Sequence, residues 1–326
     1  MKLLIGFDGS DCAKAAVEDL VLAGLPGDVD ALVLSVADMP VRVPYEDYRR
    51  IGNESAGPAC KLVRTARGLA AEAMCCAEQS AVDGVAMVAT LFPGWNASSE
   101  VVADSPYRAL VTKAEEWRAD LVVIGAQGRF VFNHLLLGSV SQNVLCHAGC
   151  SVRVGRTREH ATAGPPRVIV GVDASTDSEA AVDRVLSRSW PDETQVRVVT
   201  AVDPHLTLAM AYELTYFPSP ADEPDVLVAA RQHADRVAQR LRDAAFATTV
   251  HVAWGDPKKV LVDEARSWRA DAIVVGARGH SRLERFLIGS VSAAVAARAS
   301  CTVEVVRTAP RLSPDSGCTQ VQGAVR

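Results

Sequence analysis

Long uncharged apolar runs are missing from this 326-residue chain. No stretch of ~18 or more such residues occurs, so the sequence predicts no membrane-spanning helix. The opening Met1-Lys2-Leu3-Leu4-Ile5-Gly6-Phe7 reaches Asp8 after too short an apolar run for a signal peptide. Positive charge is not in excess either: 34 Lys and Arg stand against 39 Asp and Glu, a formal net charge of -5. That balance argues against nucleic acid or an anionic membrane held by bulk electrostatics, and leaves room only for a local basic pocket. The eight cysteines (Cys12, Cys60, Cys75, Cys76, Cys146, Cys150, Cys301 and Cys318) contain no CxxC pair. Such spacing usually announces zinc or a redox dithiol. Cys146 and Cys150 sit four apart with His147 as the one further ligand nearby. Small apolar fillers in a reducing compartment are the simpler reading, and the expected location is cytoplasmic.

What is present is core material, and it is repeated. AVILMFWYC residues make up 49% of the chain, enough for a buried core, and the length suits two domains of ~100–200 residues. Leu4-Ile5-Gly6-Phe7-Asp8-Gly9-Ser10 matches Ile169-Val170-Gly171-Val172-Asp173-Ala174-Ser175 at an offset of 165. Val33-Leu34-Ser35-Val36-Ala37-Asp38 falls on Val198-Val199-Thr200-Ala201-Val202-Asp203 at the same offset. Further on, Trp117-Arg118-Ala119-Asp120 falls on Trp268-Arg269-Ala270-Asp271 at an offset of 151, so the first copy holds 165 − 151 = 14 extra residues. The stretch Leu91-Phe92-Pro93-Gly94-Trp95-Asn96 is their expected place, as a cover over the other domain or a partner surface. A self-match of this kind sets the fold before any detail does. The expected domains are 1–160 and 165–308, joined at Ala163-Gly164-Pro165-Pro166, with a disordered tail over 309–326.

Each copy alternates strand and helix. Val, Ile and Leu runs at 3–7, 31–36, 121–124 and 151–154 read as strands buried on both faces. Ser10 and Ser175 are N-cap residues, each followed by apolar residues at helical spacing. Longer helices are expected over roughly 58–80 and 224–244. The fold class is α/β, parallel sheets with helices on both faces.

Two glycine constellations carry the chemistry. Gly125-Ala126-Gln127-Gly128 is followed after nine residues by Gly138-Ser139-Val140-Ser141, and Gly276-Ala277-Arg278-Gly279 after nine by Gly289-Ser290-Val291-Ser292. Each starts at a strand end and finishes at a helix start. Glycines let backbone approach an anion without a Cβ in the way, and helix-start amides point at it. The plainer alternative is that these glycines only end strands and begin helices, preserved by shared ancestry.

This pattern, G-x2-G-x9-G-(S/T) with an aspartate after the first strand, resembles the universal stress protein family over nearly the whole chain, as a tandem pair. The strands Cys150-Ser151-Val152-Arg153-Val154 and Cys301-Thr302-Val303-Glu304-Val305 fit as well. The resemblance implies Rossmann-like open five-stranded sheets of order 3-2-1-4-5, and binding of ATP, with Mg2+ as its companion ion, where the glycine motif is intact. Ligands in such sheets sit where the strand order reverses. By resemblance, Phe7, Asp8 and Val36 would hold the adenosine part in the first copy. Gly125, Gln127, Gly128, Gly138, Ser139, Val140 and Ser141 would surround ribose and phosphates there. Val172, Asp173, Ala201, Gly276, Arg278, Gly279, Gly289, Ser290, Val291 and Ser292 have the same roles in the second. It also implies that the last strands of the two domains pair, an internal pseudo-dimer that two chains could extend into a homodimer.

The copies differ. The second has Gly255-Asp256-Pro257 where the first has Asp104-Ser105-Pro106, and Arg278 replaces Gln127. A positive charge near phosphate makes the second site the expected equal or better binder. Catalytic machinery is thin: no G-x4-G-K-[ST] and no kinase signature is present, and His134, His147 and His280 have no triad partner in sequence. The expected function is a nucleotide-dependent regulatory module read by a protein partner, its loops at 38–57 and 203–223 ordered by ATP. The rivals are a slow ATPase or autophosphorylating enzyme (at Ser139 or Ser290) and a nucleotide-free interaction protein.

Overall fold

The computed structural model describes residues 1–38, 58–128, 137–157, 164–203, 225–279 and 288–308. The first half runs β1 (Lys2–Gly6), α1 (Asp11–Asp19), β2 (Asp30–Ala37), α2 (Pro58–Leu91), β3 (Asn96–Ala103), α3 (Pro106–Glu116), β4 (Leu121–Gly125), α4 (Ser139–His147) and β5 (Ser151–Gly155). The second repeats it: β6 (Arg167–Gly171), α5 (Thr176–Leu186), β7 (Gln195–Val202), α6 (Asp225–Asp243), β8 (Ala247–Trp254), α7 (Pro257–Ser267), β9 (Ala272–Gly276), α8 (Ser290–Arg298) and β10 (Thr302–Val306). The α/β expectation is met.

Strand burial follows position in the sheet. β4, β5, β9 and β10 are buried at every residue: β4 and β9 are unbroken apolar runs, whereas β5 and β10 each bury a charged side chain, Arg153 and Glu304, among their valines. β3 and β8 lie at the two edges, and neither has a fully buried residue: both mix exposed and half-buried positions. Asn, Ser, Glu, Thr and His tolerate that edge position. Helix starts obey their caps: Ser10 accepts the Ala13 N–H at 3.2 Å, Ser175 the Ser178 N–H at 3.2 Å, and Asp256 the Lys258 N–H at 3.0 Å.

The strand order is β3-β2-β1-β4-β5-β10-β9-β6-β7-β8, one sheet of ten strands. Each half therefore has the order 3-2-1-4-5, and the halves are joined edge to edge rather than standing as two sheets. All pairings are parallel except β5 with β10, which is antiparallel with Arg153 opposite Glu304. One face of the sheet carries a separate core in each half, around Val17 and Leu20 in the first and Val182 and Val185 in the second. The opposite face carries one core shared by both, in which Val122, Val152 and Val154 pack with Ile273, Val303 and Val305. Burying each such side chain is worth about 1.5–3 kcal/mol, so the join is a part of the core and not a loose contact.

The extra residues of the first half lie in a helix, contrary to the loop expectation. α2 has 34 residues where α6 has 19. The Phe92 and Trp95 rings stack at 3.9 Å, and Trp95 Nε1 donates to the Pro26 carbonyl at 3.0 Å. Both pack on the first half's own core, so they do not cover the second domain. The proposed tail over 309–326 lies outside the described residues.

Candidate functional site

β1 and β4 are neighbours, so the turn after β1 and the loop after β4 emerge side by side at their carboxyl ends. The same holds for β6 and β9. Asp8 Oδ1 accepts the Ser10 N–H at 3.0 Å, which fixes the carboxylate over the start of α1. Its other oxygen faces the second motif: a Cβ on Gly128 would stand 3.2 Å from Asp8 Oδ2. In the second half Asp173 Oδ1 accepts the Ser175 N–H at 3.0 Å, and a Cβ on Gly279 would come within 2.6 Å of Asp173 Oδ2. The fold thus brings the aspartate and the loop glycine together twice.

The glycines have different duties. A Cβ on Gly125 would be 2.7 Å from the Cys12 carbonyl carbon, and one on Gly276 would be 2.4 Å from that of Asp177. These two glycines admit the backbone of α1 and α5 against the strand ends, so packing alone requires them. Gly128 and Gly279 are exposed. Gly138 and Gly289 are the N-caps of α4 and α8, and their N–H groups donate back to Ala126 O (2.8 Å) and Ala277 O (2.7 Å). Being glycines, these N-caps give either helix start no side-chain cap. Uncapped N–H groups and the positive end of a helix dipole are what an anion needs.

The serines divide sharply. Ser139 and Ser290 are exposed at those helix starts. Ser141 and Ser292 are buried and donate to the carbonyls of Gly125 and Gly276, both at 2.7 Å, with Ala277 O at 3.1 Å from Ser292. They tie helix to strand, and a direct phosphate contact from these hydroxyls is not what the geometry offers. Val140 and Val291 pack partly against the shared core. Phe7 and Val172 are also core residues: the Phe7 ring lies against Val33 and Gly84 beneath α2. Phe7 O accepts Ser35 Oγ at 2.6 Å, and the Val172 N–H donates to Val199 O at 3.0 Å. Val36 and Ala201 stand half-buried near the ends of β2 and β7.

Gln127 is buried. Its counterpart Arg278 does not present a spare charge, which corrects the reason for favouring the second site. Arg278 Nε donates to Asp177 Oδ2 at 2.9 Å, its backbone N–H to the same oxygen at 3.1 Å, and Nη2 to Oδ1 at 3.3 Å. Thr308 Oγ1 adds a donation to Asp177 Oδ1 at 3.0 Å. Asp177 occupies the place of Cys12 at the repeat offset of 165, so the pair Cys12 and Gln127 has become the ion pair Asp177 and Arg278. Comparing the two copies position by position shows the double change; reading either motif alone does not.

His134 and His280 lie outside the described residues, as do nearly all of the loops 38–57 and 203–223. His147 is exposed on α4, with Nδ1 2.8 Å from Asn143 O, away from the helix start. Cys150 and Cys301 are thiols whose protonated form is favoured by burial, with pKa values pushed up to about 11 and about 12. Neither is a ready nucleophile or metal ligand. Among the described residues no group of three or more His, Cys, Asp or Glu is placed to hold a metal.

Comparison with known proteins agrees with this architecture. The universal stress protein family model matches residues 1–156 and again 165–307. A universal stress protein of Mycobacterium tuberculosis is 28% identical over 328 residues, covering 94% of this chain and 96% of its own length. Among solved structures, a universal stress protein from Archaeoglobus fulgidus covers 94% of this chain and 98% of its own, with a TM-score of 0.61 at 16% identity. One from Pseudomonas aeruginosa covers 94% and 93%, with a TM-score of 0.54 at 13% identity. Built of two copies that both carry the aspartate and the glycine loop, the chain belongs to the universal stress protein family.

Proposed function

We propose that the chain is an ATP-binding regulatory module with one nucleotide site in each half. The observation that carries this reading is the meeting, twice, of a strand-end aspartate with an exposed loop glycine close to an uncapped helix start. The cradle fits a polyphosphate. Gly128 and Gly279 let the loop backbone pass close to the Asp8 and Asp173 carboxylates, and the first N–H groups of α4 and α8 supply positive potential without a basic residue. Ser139 and Ser290 are exposed and within the same turn, and Asp8 and Asp173 border the loop on its other side. Adenosine would lie toward Val36 and Ala201, at the reversal of strand order. Mg2+ would arrive with the phosphates.

Regulation in this reading is a shift in population toward the state that binds nucleotide better, read by a partner protein. The cytoplasm is its expected setting, and no helix among the described residues is long and apolar enough to cross a membrane. Fast hydrolysis is not expected, because the described residues around the cradle include no general base aimed at a terminal phosphate. Denaturing freshly purified protein and chromatographing what is released tests the proposal. ATP or ADP near two per chain is expected; none, even after soaking with ATP, would overturn it in favour of an interaction protein. Sustained turnover abolished by Gly128→Glu and Gly279→Glu would instead favour the slow ATPase.

A further inference from the structure

At the centre of the join between the halves lie four buried charged side chains in a row. Arg153 Nε donates to Asp19 Oδ2 at 2.8 Å and its Nη1 to Glu304 Oε2 at 3.0 Å. Arg188 grips the same glutamate from the other side, Nη1 to Oε2 at 2.9 Å and Nη2 to Oε1 at 2.5 Å. Every one of these side chains is at most 4% exposed. Asp19 and Arg153 belong to the first half, Glu304 and Arg188 to the second, so the signs alternate across the seam.

Arg153 and Glu304 are equivalent positions of the repeat, at the offset of 151, and they are also opposite one another in the β5–β10 ladder. The pseudo-twofold axis therefore runs between them. An association of two first halves through the same ladder would set Arg153 against Arg153. Two second halves would set Glu304 against Glu304. In either case the alternation breaks at its buried centre, where like charges cannot be relieved by water. Well-packed apolar residues would serve stability there as well as the ion pair does, so stability alone does not account for it.

We propose that the Arg153–Glu304 pair is a selection device: it makes each half accept the unlike half and reject its own kind. A strand edge that pairs only with its complement keeps neighbouring chains from associating through like halves while they fold. The neutral counterpart of this seam, an apolar pair, would have no such preference.

The test uses the full chain with a protease site in the linker Ala163-Gly164-Pro165-Pro166, cut after folding, then unfolded and diluted back. Native mass spectrometry counts pairs of one half each against like pairs. Random pairing gives equal numbers of unlike and like pairs. The native residues are expected to favour the unlike pair about tenfold or more, and Arg153→Met with Glu304→Met to fall toward equality. Equality for the native residues, or undiminished selection in the double variant, overturns the proposal. Should the cut halves not reassociate, a double-mutant cycle in the uncut chain decides. The two substitutions together are then expected to lower the unfolding midpoint by clearly less than the sum of their separate effects, and additivity overturns the proposal.

Discussion

The two halves share one strand order and one helix grammar, yet two of the places where they differ are contacts with long-range partners. Cys12 and Gln127 in the first half correspond to Asp177 and Arg278 in the second, two neutral side chains against an ion pair at the root of the candidate loop. Gly9, at φ 77°, corresponds to Ala174, which keeps the same left-handed backbone at φ 61°. Arg153 corresponds to Glu304, and the two face each other. Duplicated segments fold alike because their local patterns agree; they diverge where a side chain answers to something far away in sequence.

The comparison can be broken most severely at the strand ends. Gly276→Ala is expected to cost about 3 kcal/mol, and Gly125→Ala somewhat less, because the new methyl meets backbone at 2.4 Å in one and 2.7 Å in the other. Urea unfolding of the two variants measures both the loss and its order. A reversed order would mean that α1 yields less readily than α5.

Acid probes the seam. Burial pushes the Glu304 carboxyl up, but Arg188 and Arg153 overcome that and hold it at about 2. Its folded pKa lies below the unfolded value near 4.3, so its contribution is complete above that value and lost as pH falls toward 2. Between pH 4.5 and pH 2 the native chain is expected to lose roughly 2 kcal/mol more stability than Glu304→Gln. Parallel loss in both, followed by unfolding at a series of pH values, would place the acid sensitivity elsewhere.

Asp177→Asn sharpens the comparison between the sites. It releases Arg278 from its carboxylate partner, and on a Gly128→Glu background the affinity for ATP is expected to rise several-fold, as an unneutralised charge beside phosphate is worth about 1 kcal/mol. Titration calorimetry reads it; unchanged affinity would mean that Arg278 lies out of reach of the ligand. The smallest effects belong to the turn after the first strand of each half. Ala174→Gly is expected to stabilise by about 0.5 kcal/mol and Gly9→Ala to destabilise by about 1 kcal/mol, both visible as midpoint shifts.

Much of the fold was legible because it rests on local signals. Aliphatic runs of four or five residues, Ser10 and Ser175 as caps, and the self-match at 165 and 151 suffice for the element order and the α/β class. The meeting of Asp8 with Gly128 was also foreseeable, since each follows a strand and those strands are neighbours in the implied order. The length of α2 was not. Its added turns have good helix formers, as does the part expected to be helical, and the proline and glycine at 93–94 drew attention to the loop after it.

The site was legible in its residues more than in their duties. Ser141 and Ser292 fit a phosphate motif by spacing, and only their burial against Gly125 and Gly276 shows them as ties between helix and strand. Arg278 reads as a free cation until α5 places Asp177 beneath it. A net charge of -5 left a local basic pocket or backbone amides as the means of holding an anion, and the starts of α4 and α8, whose N-caps are Gly138 and Gly289, offer amides. By itself the sequence determined the repeat, the strand and helix pattern and the position of the glycine loops, because periodicity and turn chemistry act over a few residues. Only the tertiary structure decided which charges are spent and which remain. Asp19, Arg153, Glu304 and Arg188 span 285 positions of chain, from 19 to 304, and become neighbours only when β5 meets β10 and burial makes their pairing obligatory.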